Sequence, residues 1–273
     1  TGGAVTVAYF FYGTSDGGAA WGSWGYTNNS GTNAQGSLTT NMTGLTAGTT
    51  YYYTFYATNS AGHAWATPAT NFTTVPNAPA VSAATSVQST AFYANWSAAG
   101  GGATNYLLDV STNSGFANYV GSYTNLMVGN MTTYQVSGLS ANSTYYYRLR
   151  AQNVGGTSTN SAVITVVTGP NAPAVSAATN VLAGSFCANW AAAGGGTTNY
   201  FLDASTNSGF VNYVGSYSNL MIGSVTTYLV TGLSANSTYY YRLRAQNAGG
   251  TSTNSAVATV ATVPNAPVAS AAT

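Results

Sequence analysis

Side chains able to do chemistry are scarce in this chain and fall into a pattern. Its 273 residues hold three Asp or Glu, four Lys or Arg, one His and one Cys. Six of the seven ionic side chains make two sets of identical spacing, Asp109 with Arg148 and Arg150, and Asp203 with Arg242 and Arg244. A carboxylate among arginines, with no second carboxylate or histidine nearby, supplies neither a general base nor a nucleophile. His63 stands alone in the turn Asn59-Ser60-Ala61-Gly62-His63, distant in sequence from Cys187, so neither a triad nor a metal site can be built on it. These counts exclude catalysis and predict no metal and no cofactor.

The same scarcity bounds the partners. Charged residues are 3% of the chain, against about a quarter in an ordinary soluble domain. Four arginines make no basic patch, which excludes nucleic acid. No run of about 18 apolar residues exists to span a membrane. Without charge repulsion nothing holds copies of the chain apart, so its predicted partner is itself, with glycans as a further class.

The few ionic groups must be positioned by a repeated element. Gly138-Leu139 leads through Tyr145-Tyr146-Tyr147-Arg148-Leu149-Arg150 to Asn153; the stretch recurs at Gly232-Leu233 to Asn247 and, more loosely, at Gly44-Leu45 to Asn59, in steps of 94 residues. A period that long makes each copy a domain in its own right. Within the stretch, Tyr145, Tyr147, Leu149 and Ala151 alternate with Tyr146, Arg148 and Arg150, the period of two of a strand with one face on a core. Upstream, each complete copy runs from a proline pair (Pro76 and Pro79; Pro170 and Pro173) through an inward tryptophan, Trp96 or Trp190. A glycine run follows, then the motif Asn105 to Phe116 or Asn199 to Phe210.

These motifs resemble the tandem fibronectin type III modules of secreted bacterial surface proteins. Leu139 with Tyr145, Leu233 with Tyr239, and Leu45 with Tyr51 match the family's tyrosine corner. The resemblance implies an all-β chain of tandem immunoglobulin-like sandwiches arranged as a rod. In that topology the strand carrying Asp109 lies beside the one carrying Arg148 and Arg150, with all three side chains on the outer face, a cross-strand ion pair of about 0.2 to 1 kcal/mol. Asp203, Arg242 and Arg244 repeat it.

The remaining surface is neutral. Tyr52, Tyr93, Tyr146 and Tyr240 are expected to face outward, with Trp21 and Trp24. Such rings serve self-assembly, stacking on sugars or plain sheet surface. Cys187, between inward Phe186 and Trp190, points outward as a surface thiol or an intermolecular disulfide. Sequons are frequent, and Asn142 and Asn236 are the candidate glycosylation positions.

Four segments follow. Residues 1–75 form an incomplete module lacking its first two strands, the stretch from Ser37 to Thr74 supplying the last three. Residues 76–168 and 169–262 are complete modules. Residues 263–273, with Pro264, Pro267, Val268 and Thr273, repeat the opening strand of a further module. No leader is evident, and the chain reads as a mature or trimmed product. The expected function is a structural subunit of an extracellular filament or surface layer, with the terminal strand completing the first module of the next copy. A window cut from a longer repetitive polypeptide explains the ends equally well. A carbohydrate-binding adhesin using the outward rings, or the spacer of a larger secreted protein, are the alternatives.

Overall fold

The computed structural model describes residues 4–33, 37–194 and 196–268. Within them the chain is built from strands, with a single turn of 3-10 helix at Trp21–Ser23, and no helix is long and apolar enough to cross a membrane. The first module comprises β1 (Thr6–Gly13), β2 (Tyr26–Asn33), β3 (Thr50–Asn59), β4 (Gly62–Trp65) and β5 (Thr70–Thr73). They form one antiparallel sheet in the order β2-β1-β3-β4, with β5 also on β3.

The second module adds β6 (Ala80–Thr85), β7 (Ala91–Ser97), β8 (Asn105–Ser111), β9 (Leu126–Met127), β10 (Thr133–Ser137), β11 (Thr144–Asn153), β12 (Gly156–Thr157) and β13 (Ile164–Val167). Here two sheets face each other, β10-β7-β6 and β12-β11-β8-β9, with β13 on β11. The third module repeats this with β14 (Ala174–Thr179), β15 (Ser185–Ala191), β16 (Asn199–Ser205), β17 (Leu220–Gly223), β18 (Thr227–Thr231), β19 (Thr238–Asn247), β20 (Gly250–Thr251) and β21 (Ala258–Ala261).

Burial follows the alternation read from sequence. Tyr145, Tyr147, Leu149 and Ala151 of β11 join Tyr106, Leu108 and Val110 of β8 against Phe92, Ala94 and Trp96 of β7. Trp96 and Trp190 lie edge-on to Tyr106 and Tyr200, and their indole nitrogens have no hydrogen-bond partner among the described residues. Each strand start is fixed by a ring that reaches back: Tyr145 Oη accepts from Ser140 N at 2.9 Å, Tyr239 Oη from Ser234 N at 2.9 Å, and Tyr51 Oη from Thr46 N at 3.0 Å.

Two hydroxyls cross between the sheets. Tyr147 Oη donates to the Ser82 carbonyl and accepts from Asn95 N, tying β11 to β6 and β7. Tyr241 Oη donates to the Ser176 carbonyl.

The first module departs from expectation at its third-from-last strand. Residues 37–43 carry no strand. In the complete modules the corresponding β10 and β18 pair only with β7 and β15. Among the described residues of 4–75 nothing plays the part of β7, and this stretch has no strand there to complete its hydrogen bonds.

Burial also holds the phenols of Tyr147 and Tyr241 above the ordinary value of 10.0. A raised folded-state pKa means that the neutral phenol stabilises the fold in full below about pH 10, and that this contribution is lost as pH climbs through the folded value. Tyr147→Phe with Tyr241→Phe should lower stability by about 1 kcal/mol per module at neutral pH. It should also flatten the alkaline decline, as read from urea midpoints at pH 7 and above pH 10.

Candidate functional site

The sheet register sets Asp109 directly opposite Arg148. Arg148 Nε lies 3.1 Å and Arg150 Nη2 3.8 Å from Asp109 Oδ2, while Asn125 N donates to Oδ1 at 2.8 Å. In the third module Arg242 Nε and Arg244 Nη2 lie 2.9 and 3.7 Å from Asp203 Oδ2, and Asn219 N donates to Oδ1 at 2.6 Å. Both acids are on the outer face of their sheet, yet each is only 2% exposed.

The expectation of a solvent-facing pair is therefore corrected. The loop between β8 and β9 folds back over the acid, so that outward is not solvent. Phe116 lies 3.9 Å from the Arg148 guanidinium carbon, and Phe210 lies 4.0 Å from that of Arg242. Arg150 Nη2 donates to Asn125 Oδ1, closing the loop onto the strand. The carboxylate is thus buried and held at both oxygens, by a backbone amide at Oδ1 and by guanidinium groups at Oδ2. Its work is to pin the loop.

In the first module this position is apolar. Phe11 pairs with Thr54 as Asp109 pairs with Arg148. Phe11 is fully buried beneath Trp21, Trp24 and Trp65, at centroid distances of 4.9, 6.5 and 4.9 Å. Trp24, expected on the surface, is buried, its Nε1 donating to the Gly18 carbonyl at 3.1 Å. Trp21 remains 48% exposed, wedged against Tyr9 and Tyr56.

His63 is not a turn residue. It lies in β4 opposite Thr58, exposed, with its ring 5.5 Å from that of Tyr56. Among the described residues no three His, Cys, Asp or Glu are grouped as a metal ion requires. Cys187 stands on the outward face of the central strand β15, half-buried between Leu229 of β18 and Thr179 of β14. Tyr93 is 38% exposed, whereas Tyr52, Tyr146 and Tyr240 are half-buried.

The inner face of the first sheet is where the molecule stands open. Phe10, Tyr53, Phe55 and Phe72, with Leu38 and Met42, line a cleft of about 380 Å³. In the second module the same face of β8 and β11 is covered by β6, β7 and β10. Tyr53 takes the place of Tyr147 but meets the rings of Phe10 and Phe72, 6.0 and 6.2 Å away.

The two sequons behave differently. Asn142 accepts a hydrogen bond from Asn247 Nδ2 of the following module at 2.8 Å, so it is engaged in the joint between modules, while Asn236 is exposed. Pro264, Pro267 and Val268 form no strand, and Val268 is 95% exposed. Thr273, with the rest of residues 269–273, lies outside the described residues, as do Gly2 and Gly3 and the central glycine of the run 194–196.

Removing one partner of a buried pair leaves an uncompensated charge. Asp109→Ala should destabilise the second module by about 3 kcal/mol. Replacing the set together, Asp109→Leu with Arg148→Met and Arg150→Met, should do less harm than the single change, which thermal unfolding would resolve.

A Fibronectin type III domain matches residues 77–167 and again 171–261. Exoglucanase B of Cellulomonas fimi is 32% identical over 247 residues, covering 81% of this chain and 21% of its own length, so the chain spans about a fifth of that relative. Among solved structures, a two-domain fibronectin type III segment of chicken tenascin shares 15% identity at a TM-score of 0.38, covering 68% of this chain and 99% of its own. The chicken CNTN1 FN1-FN3 domains share 14% at a TM-score of 0.35, covering 95% and 89%. With two tandem matches that occupy more than half of its length, this chain belongs to the fibronectin type III family.

Proposed function

We propose that this chain is a non-catalytic structural element of an extracellular protein, and that copies of it join into a filament or surface layer. The observation that carries this reading is the aromatic cleft of the first module, which residues 37–43 cover only partly and without forming a strand. A sheet with one apolar face is a template for strands from another chain.

The sequence offers a matching strand. Pro264 to Thr273 repeats Pro170 to Thr179, the segment that forms β14 and packs Val175 onto the third core. In the tail the order is inverted, with Ala269 in the place of Val175. The first module has Phe10 and Phe55 where the second has Leu108 and Leu149. A smaller strand residue against larger sheet residues conserves core volume, the condition under which packing survives substitution. Low charge removes the repulsion that would oppose contact between copies.

A second reading, the spacer of a larger carbohydrate-active enzyme, is favoured by the exoglucanase relative, in which the similar stretch is 21% of the protein. On this reading the first module is completed by residues of its own polypeptide.

Electron microscopy of the purified chain over a range of concentrations separates the two. The filament reading expects continuous fibres, and expects Phe55→Lys, a charge placed in the open cleft, to leave single particles. Single particles of the unaltered chain at every concentration would remove the filament reading and leave the spacer.

A further inference from the structure

Both joints between modules are made by the same turn. β11 ends in Asn153-Val154-Gly155-Gly156 and β19 in Asn247-Ala248-Gly249-Gly250. In each turn the asparagine Oδ1 accepts from the amide of the first glycine at 2.8 Å. Its Nδ2 donates into the preceding module, from Asn153 to the Thr74 carbonyl at 3.0 Å and from Asn247 to the Thr168 carbonyl at 3.1 Å.

The glycines meet that module backbone to backbone. A Cβ on Gly155 would stand 2.2 Å from the Thr73 carbonyl oxygen, and one on Gly249 2.1 Å from that of Val167. Neither glycine has a positive φ. The turn itself thus tolerates a side chain; docking does not. The first module proves the point, because its turn is Asn59-Ser60-Ala61-Gly62, with Ala61 N donating to Asn59 Oδ1 at the same 2.8 Å.

The far end of the third module repeats the surface that receives these turns. Thr262 N donates to the Ser237 carbonyl at 2.9 Å, as Thr168 N does to that of Ser143 at 2.9 Å. Asn236 N donates to the Val263 carbonyl at 3.2 Å, as Asn142 N does to that of Gly169 at 3.1 Å.

From these correspondences we propose that the Thr262–Asn236 end of the third module is a docking socket for a further fibronectin type III module carrying an Asn-x-Gly-Gly turn, and that Ala61 bars the first module of a second copy from it. The residue before the last glycine of the turn decides which modules follow one another directly.

The chain has no lysine, so Asn171→Lys, at an exposed linker position, gives it a single lysyl trypsin site beside the second joint. Adding Gly249→Ala should speed cleavage after residue 171 by about ten-fold, since local opening controls the cut. A longer chain, residues 1–262 followed by a second copy of 169–262 with lysine at the new linker asparagine, tests the socket itself. The added linker should resist trypsin as the Asn171→Lys linker with Gly249 does, and alanine at the added copy's Gly249 position should expose it by about the same factor. Unchanged protection in the Gly249→Ala chain, or equal cleavage of the added linker with glycine and alanine, would overturn the proposal. Neither result bears on whether copies form fibres.

Discussion

The inner face of each five-stranded sheet carries large apolar side chains that only a second layer can remove from water. In the second and third modules that layer is a three-stranded sheet, and the Tyr147 and Tyr241 hydroxyls bridge the gap to its backbone. The rest of those modules depends on this closure. β10 and β18 exist as strands because β7 and β15 are there to pair with them. In the first module the same constraint is unmet among the described residues. Residues 37–43 accordingly stay irregular over an aromatic cleft, and this asymmetry makes association the leading reading of the chain.

Two kinds of outer face accompany the two kinds of module. The complete modules bury a carboxylate between two guanidinium groups beneath a loop, and the first buries Phe11 beneath three tryptophans. Both arrangements press a covering segment onto the central strands. The ionic version depends on paired charge and hydrogen bonds and still leaves Arg150 Nε without a hydrogen-bond partner among the described residues, whereas the aromatic version asks only for ring contact.

Much of the fold was legible in the residues. The alternation from Tyr145 to Ala151 fixed the inward face of the strand, and Leu139 with Tyr145 marked the corner that starts it. Hidden from sequence was whatever depends on a segment folding back. Period-two reasoning assigns Asp109 to the outer face correctly but cannot see Phe116 and Asn125 lying over it. Trp24, also expected outside, closes over Phe11. Nothing in the sequence singles out Gly155, because the atom that requires it, the Thr73 carbonyl oxygen, belongs to another module. Ala61 became informative only against that contact. Copies that meet through the first module cannot reproduce the joint found inside the chain.

Six of the seven ionic side chains sit in two clusters built on a buried carboxylate, and only Asp16 stands in water apart from them, which has a consequence for how the molecule responds to salt. Dissolved ions screen charges that face water, over about 8 Å at physiological ionic strength, and reach buried pairs far less. Outside those clusters the described surface is almost wholly uncharged, a mixture of hydroxyl, amide, aromatic and aliphatic groups such as Val154, Leu182 and Val211, which carry no counterion atmosphere to be compressed or released. Added salt therefore weakens the ionic contacts inside the modules little.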